Sequence, residues 1–206
     1  MNKQRSKEWF DSRLGRFTAS NISDLLGARG LGKTGGTLAF EKSCELVYGT
    51  DEEESYTSKD MQRGIDLEPI AFRKFKELKT LEFLEVKEAY FMPYGENAGA
   101  SPDGLVSNDA VLEIKCPRST KFFKLVALGE KEIDSNYYDQ MQMQMLCSNS
   151  EKAYFFNYII FNGKEMWHEI IINRDEKRID LIKERIIEAV QIRNEFVEYL
   201  TKNQQF

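Results

Sequence analysis

A carboxylate and an ammonium group two residues apart carry the first chemical signal in this chain: Glu113 and Lys115 in VLEIKCP, residues 111–117. Strand alternation puts Val111, Glu113 and Lys115 on one face and Leu112, Ile114 and Cys116 on the other. Upstream, SPDGL (101–105) carries Asp103 at a Pro-Asp-Gly break. A turn at Ser107-Asn108-Asp109 predicts a hairpin that sets Asp103 beside Glu113. Two carboxylates and a lysine so placed suit metal-assisted hydrolysis of a phosphodiester. The carboxylates hold one or two divalent cations, which acidify water and offset phosphate charge. The lysine orients or activates that water and stabilises developing negative charge. The same residues also read as a surface hairpin with an ordinary Glu–Lys pair.

A third carboxylate lies in RGIDLEPIAFRKF, residues 63–75. The pattern predicts a helix from about Asp66, with Pro69 in its first turn. Glu68 then shares a face with Ala71, Phe72, Phe75 and Leu78, and a carboxylate on an apolar face needs a partner. A metal ion is one candidate and Arg63 is another. His168 is the only histidine, which argues against a Ser-His-Asp site or a two-histidine zinc site. Cys44, Cys116 and Cys147 are too few for a four-cysteine iron–sulfur cluster and point to reduced thiols in a cytoplasm. A metal held here by carboxylates would be magnesium, manganese or calcium.

The elements that must position these groups follow from the pattern around them. The chain begins helical, turns strand-rich from about Leu81 to Cys116, and is helical again from about Lys121 to Cys147. Two strands follow, near Ala153–Phe161 and Glu165–Ile172. The chain closes on a long amphipathic helix whose apolar set is Ile179, Ile182, Ile186, Val190, Phe196 and Leu200. The acidic patch at 51–55 predicts a loop. The expected fold class is α/β (α+β): one domain over residues 1–206, with a central mixed β-sheet flanked by helices. The most apolar stretch, 153–161, is too short to span a membrane and contains Asn157. The N-terminus MNKQRSKEWF has no apolar run behind its basic residues, so no signal peptide is expected.

Net charge is −5, but residues 1–36 carry a local balance of +4 and the remainder −9. Within the basic region, GARGLGKT (27–34) matches the G-x-x-x-x-G-K-[ST] loop of nucleotide hydrolases. Such a loop must follow a strand and open a helix. Here TASNISDLL, with Ile22, Leu25 and Leu26 at helical spacing, predicts a short helix before Gly27. Gly35 and Gly36 are poor residues for a helix start after it. A basic, flexible loop carrying Arg29 and Lys33 is the better expectation.

With Pro102-Asp103, Glu113-Ile114-Lys115 and Glu68 in this order, the chain resembles the PD-(D/E)XK nuclease superfamily. Trp9, RLGRFTAS (13–20), RGIDLEP, SPDGL, LEIKCP and YYDQMQMQM (137–145) narrow the resemblance to its lambda-exonuclease and YqaJ-like viral recombinase branch. The resemblance implies a restriction-endonuclease-like core. It also implies a magnesium-dependent exonuclease, using two ions with manganese able to substitute, that digests one strand of double-stranded DNA from its 5′ end. A ring-shaped homotrimer and a phage single-strand annealing protein as partner are further implications, as is a bacterial host cytoplasm. Carried over by residue, Glu68, Asp103, Glu113 and the backbone carbonyl of Ile114 are metal ligands. Lys115 is the catalytic lysine, and Gln140 lines the site. Arg13, Thr18 and Ser20 hold the terminal 5′ phosphate, where a helix start and a bidentate donor favour an anion. Arg16 and Arg118 are further phosphate candidates, and Arg29 and Lys33 on the 27–34 loop are expected to reach the duplex backbone. Trp9 reads as core. Gln142 and Gln144 read as either site residues or exposed ones. A PD-(D/E)XK endonuclease, or an end-binding module without catalysis, are the alternatives.

Overall fold

The computed structural model describes residues 4, 6–50, 58–107 and 109–203; the patch at 51–55 and Asn108 of the expected turn lie outside these. Strand β6 (Ala110–Lys115) organises a five-stranded mixed sheet. It runs antiparallel to β5 (Gly104–Val106), which in turn runs antiparallel to β2 (Val86–Glu88). On its other side β6 runs parallel to β7 (Lys152–Phe161), which forms a hairpin with β8 (Lys164–Asn173). Sheet order is β2-β5-β6-β7-β8, the mixed sheet expected from the sequence.

Alternation along β6 sorts its side chains between two cores. Leu112 and Ile114 pack with Phe75, Tyr154, Phe156 and Tyr158 beneath α3 (Lys59–Leu81). Val111 joins Leu125, Met141, Met145, Ala153 and Phe155 beneath α4 (Ser119–Leu128) and α5 (Ser135–Ser148). Each fully buried large side chain is worth about 1.5–3 kcal/mol. The two cores together therefore fix the strand register, because a one-residue slip would drive Glu113 into the α3 core. Glu113 and Lys115 are delivered to the α5 side.

A second sheet, β1-β4-β3, was not expected. Its strands are Phe17–Thr18, Met92–Tyr94 (β3) and Ala98–Ala100 (β4), too short and, in the case of Ala-Gly-Ala, too small to give a period-two signal. They pack with a 3₁₀ helix at Ala19–Leu25, with α2 (Gly32–Tyr48) and with α6 (Glu176–Lys202). The shared core is Phe17, Ile22, Leu25, Leu38, Ile182 and Ile186. Helix α1 (Lys7–Asp11) precedes it, with the Ser6 hydroxyl accepting from the Trp9 N–H.

Two helix boundaries differ from expectation. Helix α3 starts at Lys59 because the Ser58 hydroxyl caps it, so Pro69 lies mid-helix rather than in the first turn. A mid-helix proline costs about 3 kcal/mol; the burial of Ala71 and Phe75 on the same helix offsets it. Helix α2 starts at Gly32 and takes in Lys33, Thr34, Gly35 and Gly36, where a flexible loop was expected. Gly35 is there for packing: a Cβ on it would lie 2.8 Å from Leu31 Cβ and 3.1 Å from the Asp24 carbonyl oxygen. Among the described residues no helix is long and apolar enough to cross a membrane.

Candidate active site

The hairpin brings Asp103 to β6 as its sequence spacing predicts. The Asp103 N–H donates to the Leu112 carbonyl at 2.9 Å, and the Ile114 N–H donates to Asp103 Oδ2 at 2.6 Å. In a strand the N–H and C=O of one residue point to the same edge, so the Ile114 carbonyl also faces the β5 side, beyond the point where β5 pairing ends. Glu113 is 2% exposed. Its Oε1 accepts from Gln140 Nε2 at 2.8 Å and pairs with Lys115 Nζ at 2.5 Å, while Oε2 accepts from Gln144 Nε2 at 2.5 Å. Lys115 Nζ also approaches Gln140 Oε1 at 3.5 Å and the Tyr137 ring at 4.7 Å. A buried carboxylate is costly unless paired and hydrogen-bonded, and here three donors meet it.

Electrostatics tie the three acids together. Burial, then the charges of Glu113 and Glu68, push the Asp103 carboxyl well above its ordinary value. Burial disfavours the charge on Lys115, but Glu113 and Asp103 outweigh it and hold the ammonium above its usual pKa. Glu68 is half-buried on α3. Arg63, the alternative partner for Glu68, donates to the carbonyls of Cys116 and Pro117 and lies 3.7 Å from Asp60. The thiols of Cys116 and Cys147 are pushed up to about 12, chiefly by burial, and are poor nucleophiles.

A second group forms near the N-terminus. Arg13 Nη2 donates to Thr18 Oγ1 and Ser20 Oγ, each at 3.2 Å, and the two hydroxyls are 3.1 Å apart. The helix that Thr18 begins is a seven-residue 3₁₀ helix, whose Thr18 N–H is already taken by Asn21 Oδ1 at 2.9 Å. The guanidinium supplies the positive charge of this group. Burial lowers the Arg13 pKa to about 10, with Glu45 opposing. The guanidinium lies 4.1 Å from the Trp9 ring centroid, and Trp9 Nε1 donates to Ser101 Oγ at 3.0 Å, two residues before Asp103. Trp9 is half-buried and bridges the two groups, a correction to its expected place in the core.

The remaining candidates lie apart. Arg29 and Lys33 are exposed before and in the first turn of α2. The shallow depression of roughly 250 Å³ at Lys33 and Thr34 is also lined by Asp24 and Glu41, acids that repel a nucleotide phosphate. Arg118 is exposed and bidentate on Asp60, at 3.0 and 2.5 Å. Arg16 donates to the Gly95 carbonyl at 3.4 Å and lies over Phe91.

Residues 8–151 match the YqaJ-like viral recombinase domain. The chain belongs to this family. No curated protein matches it in sequence. Among solved structures, the YqaJ-like chain is similar to the alkaline exonuclease LHK-Exo of Laribacter hongkongensis, solved in complex with dAMP. That pair shows a TM-score of 0.82 and 28% identity over 96% of this chain and 97% of that one. A phage-related exonuclease of Haemophilus somnus shares the fold, with a TM-score of 0.74 and 19% identity over 90% and 96% of the two chains. Family membership and the alkaline exonuclease match make the YqaJ-like chain a nuclease, a hydrolase of DNA.

Nucleases of this kind use divalent metals. The donors here are all hard oxygens, and Asp103 is raised by burial and then by the neighbouring acids, whose repulsion a cation would relieve. Among the described residues no three Asp, Glu, His or Cys side chains form a ready cage. Both Glu113 oxygens face nitrogen donors, so the residues fit a divalent-metal site completed by water rather than one made of protein alone. The YqaJ-like site also holds a residue that sequence reasoning left undecided. Gln142 and Gln144 are both fully buried. Gln142 bonds the Asn173 carbonyl and the Asp175 N–H, whereas Gln144 bonds Glu113. The i, i+4 spacing from Gln140 was the signal for Gln144.

Proposed function

We propose that this YqaJ-like protein is a magnesium-dependent 5′→3′ exonuclease. It digests one strand of linear double-stranded DNA and leaves 3′ single-stranded overhangs for annealing-type recombination. The observation that carries the reading is the physical link from Arg13, Thr18 and Ser20 through Trp9 to Ser101 and Asp103. A cationic group suited to an anion is thereby linked to the segment that carries Asp103, which supports an enzyme that works from a phosphorylated end. The similarity to an alkaline exonuclease supports it.

Glu68, Asp103, Glu113 and the Ile114 carbonyl would hold magnesium, two ions by family resemblance, with manganese able to substitute. When bound, the metal offsets charge on the phosphate and lowers the pKa of water. Lys115, paired with Glu113 and facing Gln140, orients or activates the attacking water and stabilises the phosphate's developing charge. Gln140 holds Glu113 with its amide N–H and faces Lys115 with its amide oxygen. Arg13, Thr18 and Ser20 receive the terminal 5′ phosphate and so set which linkage reaches Asp103. Arg29, Lys33 and Arg118 contact the DNA backbone further out; Arg118 must exchange Asp60 for a phosphate to do so. Residues 1–206 act as one nuclease domain in a bacterial cytoplasm, in a ring trimer that delivers its product to a single-strand annealing protein.

The deciding experiment incubates the protein and magnesium with linear duplex and with covalently closed circular duplex. Mononucleotides released from the 5′ strand of linear DNA only are expected. Cutting of closed circles would make it an endonuclease, and tight end binding without turnover would leave only an end-binding module.

A further inference from the structure

The long closing helix carries one residue that its apolar pattern does not explain. Arg193 lies on the buried stripe of α6 and is 6% exposed. Burial alone lowers its pKa, with no acid opposing. A buried guanidinium is ordinarily stabilised by a carboxylate. The hydrogen-bond partners here are neutral. Nη1 donates to the Gly15 carbonyl at 2.6 Å, Nη2 donates to Asn97 Oδ1 at 2.7 Å, and Nη2 and Nε reach Asn194 Oδ1 at 3.0 and 3.3 Å. The guanidinium also lies 5.8 Å from the Phe17 ring centroid.

Gly15 and Asn97 are far apart in sequence, yet both govern β1. Gly15 ends the turn that leads into it. The Asn97 carbonyl accepts the Phe17 N–H at 2.9 Å, where β1 begins to pair with β4. Gly15 is gripped from its other side as well, since its N–H donates to Glu45 Oε2 at 2.8 Å. Its φ is +68°, and a Cβ there would lie 2.3 Å from Leu46. The stretch from Arg13 to Ser20 is thus fixed at the turn by α2 and α6 together, and at the strand by β4.

We infer that Arg193 is a positioning residue for the 5′-phosphate pocket: from α6 it pins the Gly15 turn and Asn97 so that Arg13, Thr18 and Ser20 converge on one anion. The inference rests on the proposed reading of those three residues.

The test measures kcat and KM on duplexes that differ only in a 5′ phosphate or a 5′ hydroxyl, for Arg193→Met, Arg193→Lys and Arg13→Met, with a melting curve for each. Arg193→Met is expected to raise KM on phosphorylated ends and to cut the phosphate-to-hydroxyl ratio of kcat/KM by about tenfold or more. Arg193→Lys, which keeps the charge but reaches fewer acceptors, recovers part of the ratio. A lowered melting temperature with the ratio intact would overturn the inference, since Arg193 would then be structural only. If Arg13→Met collapses the ratio while both Arg193 variants keep it, the inference alone fails. If Arg13→Met also leaves the ratio unchanged, the phosphate pocket itself is wrong and the inference falls with it. Should Arg193→Met not fold, Asn97→Ala removes one acceptor and leaves the guanidinium in place. A ratio reduced by a few-fold supports the inference, and an unchanged ratio overturns it.

Discussion

Glu113 meets three donors, whereas Arg13 sits among two hydroxyls and an aromatic ring. The first region is assembled on adjacent elements: Asp103, Glu113 and Lys115 come from one hairpin, and Gln140 and Gln144 from the helix laid over it. The second is gathered from the whole chain, with Gly15 held by Glu45 on α2 and by Arg193 on α6, 178 positions away. A site that must move electrons and protons needs fixed, mutually satisfied groups. The proposed capture of an anion needs a cation not already neutralised, and among the described residues no acid forms an ion pair with the half-buried Arg13. Under the proposed roles the two regions fail differently: the first loses turnover, the second loses selectivity for ends.

The sharpest test of the first half is Glu113→Gln. Nuclease turnover, followed by acid-soluble nucleotide release, should fall by at least about 1000-fold, or roughly 4 kcal/mol of barrier. Glutamine keeps the shape but turns an acceptor into a donor facing Gln140, Gln144 and Lys115. Stability should therefore fall by about 1–3 kcal/mol in urea unfolding. Glu113→Ala would strand the lysine and cost about 3–5 kcal/mol, which makes glutamine the cleaner probe of chemistry. Equal loss of turnover in Arg13→Met would break the comparison.

Magnesium should act on the same region without any substrate. A ligand that binds only the folded state at 100 times its Kd stabilises it by about 2.7 kcal/mol, read as a rise in melting temperature over an EDTA control. Asp103 gives the pH dependence. Its carboxyl is raised above the ordinary 3.8, so without a cation its contribution to stability is complete below that value. That contribution is lost as pH rises through the raised one. A cation must displace that proton, so its stabilisation grows as pH rises through the same window. A magnesium shift that is unchanged in Glu113→Gln would place the metal elsewhere.

The second half is tested by Arg13→Met. Preference for 5′-phosphorylated over 5′-hydroxyl ends should drop by about 10- to 100-fold, or about 1.4–2.8 kcal/mol. The melting temperature should change little, because the fold holds this charge at a cost rather than by an ion pair. A large loss of stability would show that Arg13 is a structural strut.

How far the site could be read in advance follows from these two constructions. Period-two alternation placed Glu113 and Lys115 on one face, and the turn placed Asp103 beside them, because hairpin geometry is local. Gln144 was readable only as i, i+4 from Gln140. Its burial depended on α5 being enclosed by two cores, which no single-helix pattern reveals. The small β1-β4-β3 sheet, the α2 start at Gly32 and the role of Trp9 all depend on contacts between distant segments. Arg193 was invisible for the same reason, as an arginine on a long amphipathic helix ordinarily reads as solvated.

Gln144→Met probes how far the mutual satisfaction around Glu113 extends. Methionine fills the volume but leaves Glu113 Oε2 without its donor, so stability should fall by about 1–3 kcal/mol and turnover by about tenfold, the usual effect of losing a group that orients a metal ligand. Turnover unchanged, with only stability lost, would confine Gln144 to the scaffold.

The smallest effect belongs to the basic segment of GARGLGKT. Arg29 and Lys33 are exposed, one in the turn before α2 and one in its first helical turn. If they touch backbone phosphates, each releases counterions on binding. The double variant Arg29→Ala, Lys33→Ala should then flatten the slope of log affinity against log salt by about 0.9 per contact. Affinity at moderate salt should fall only a few-fold, and the preference for phosphorylated ends should persist, because Arg13 is untouched. An unchanged slope would remove the segment from the DNA path. A lost end preference would instead join it to the Arg13 pocket and enlarge the second region at the expense of the division drawn above.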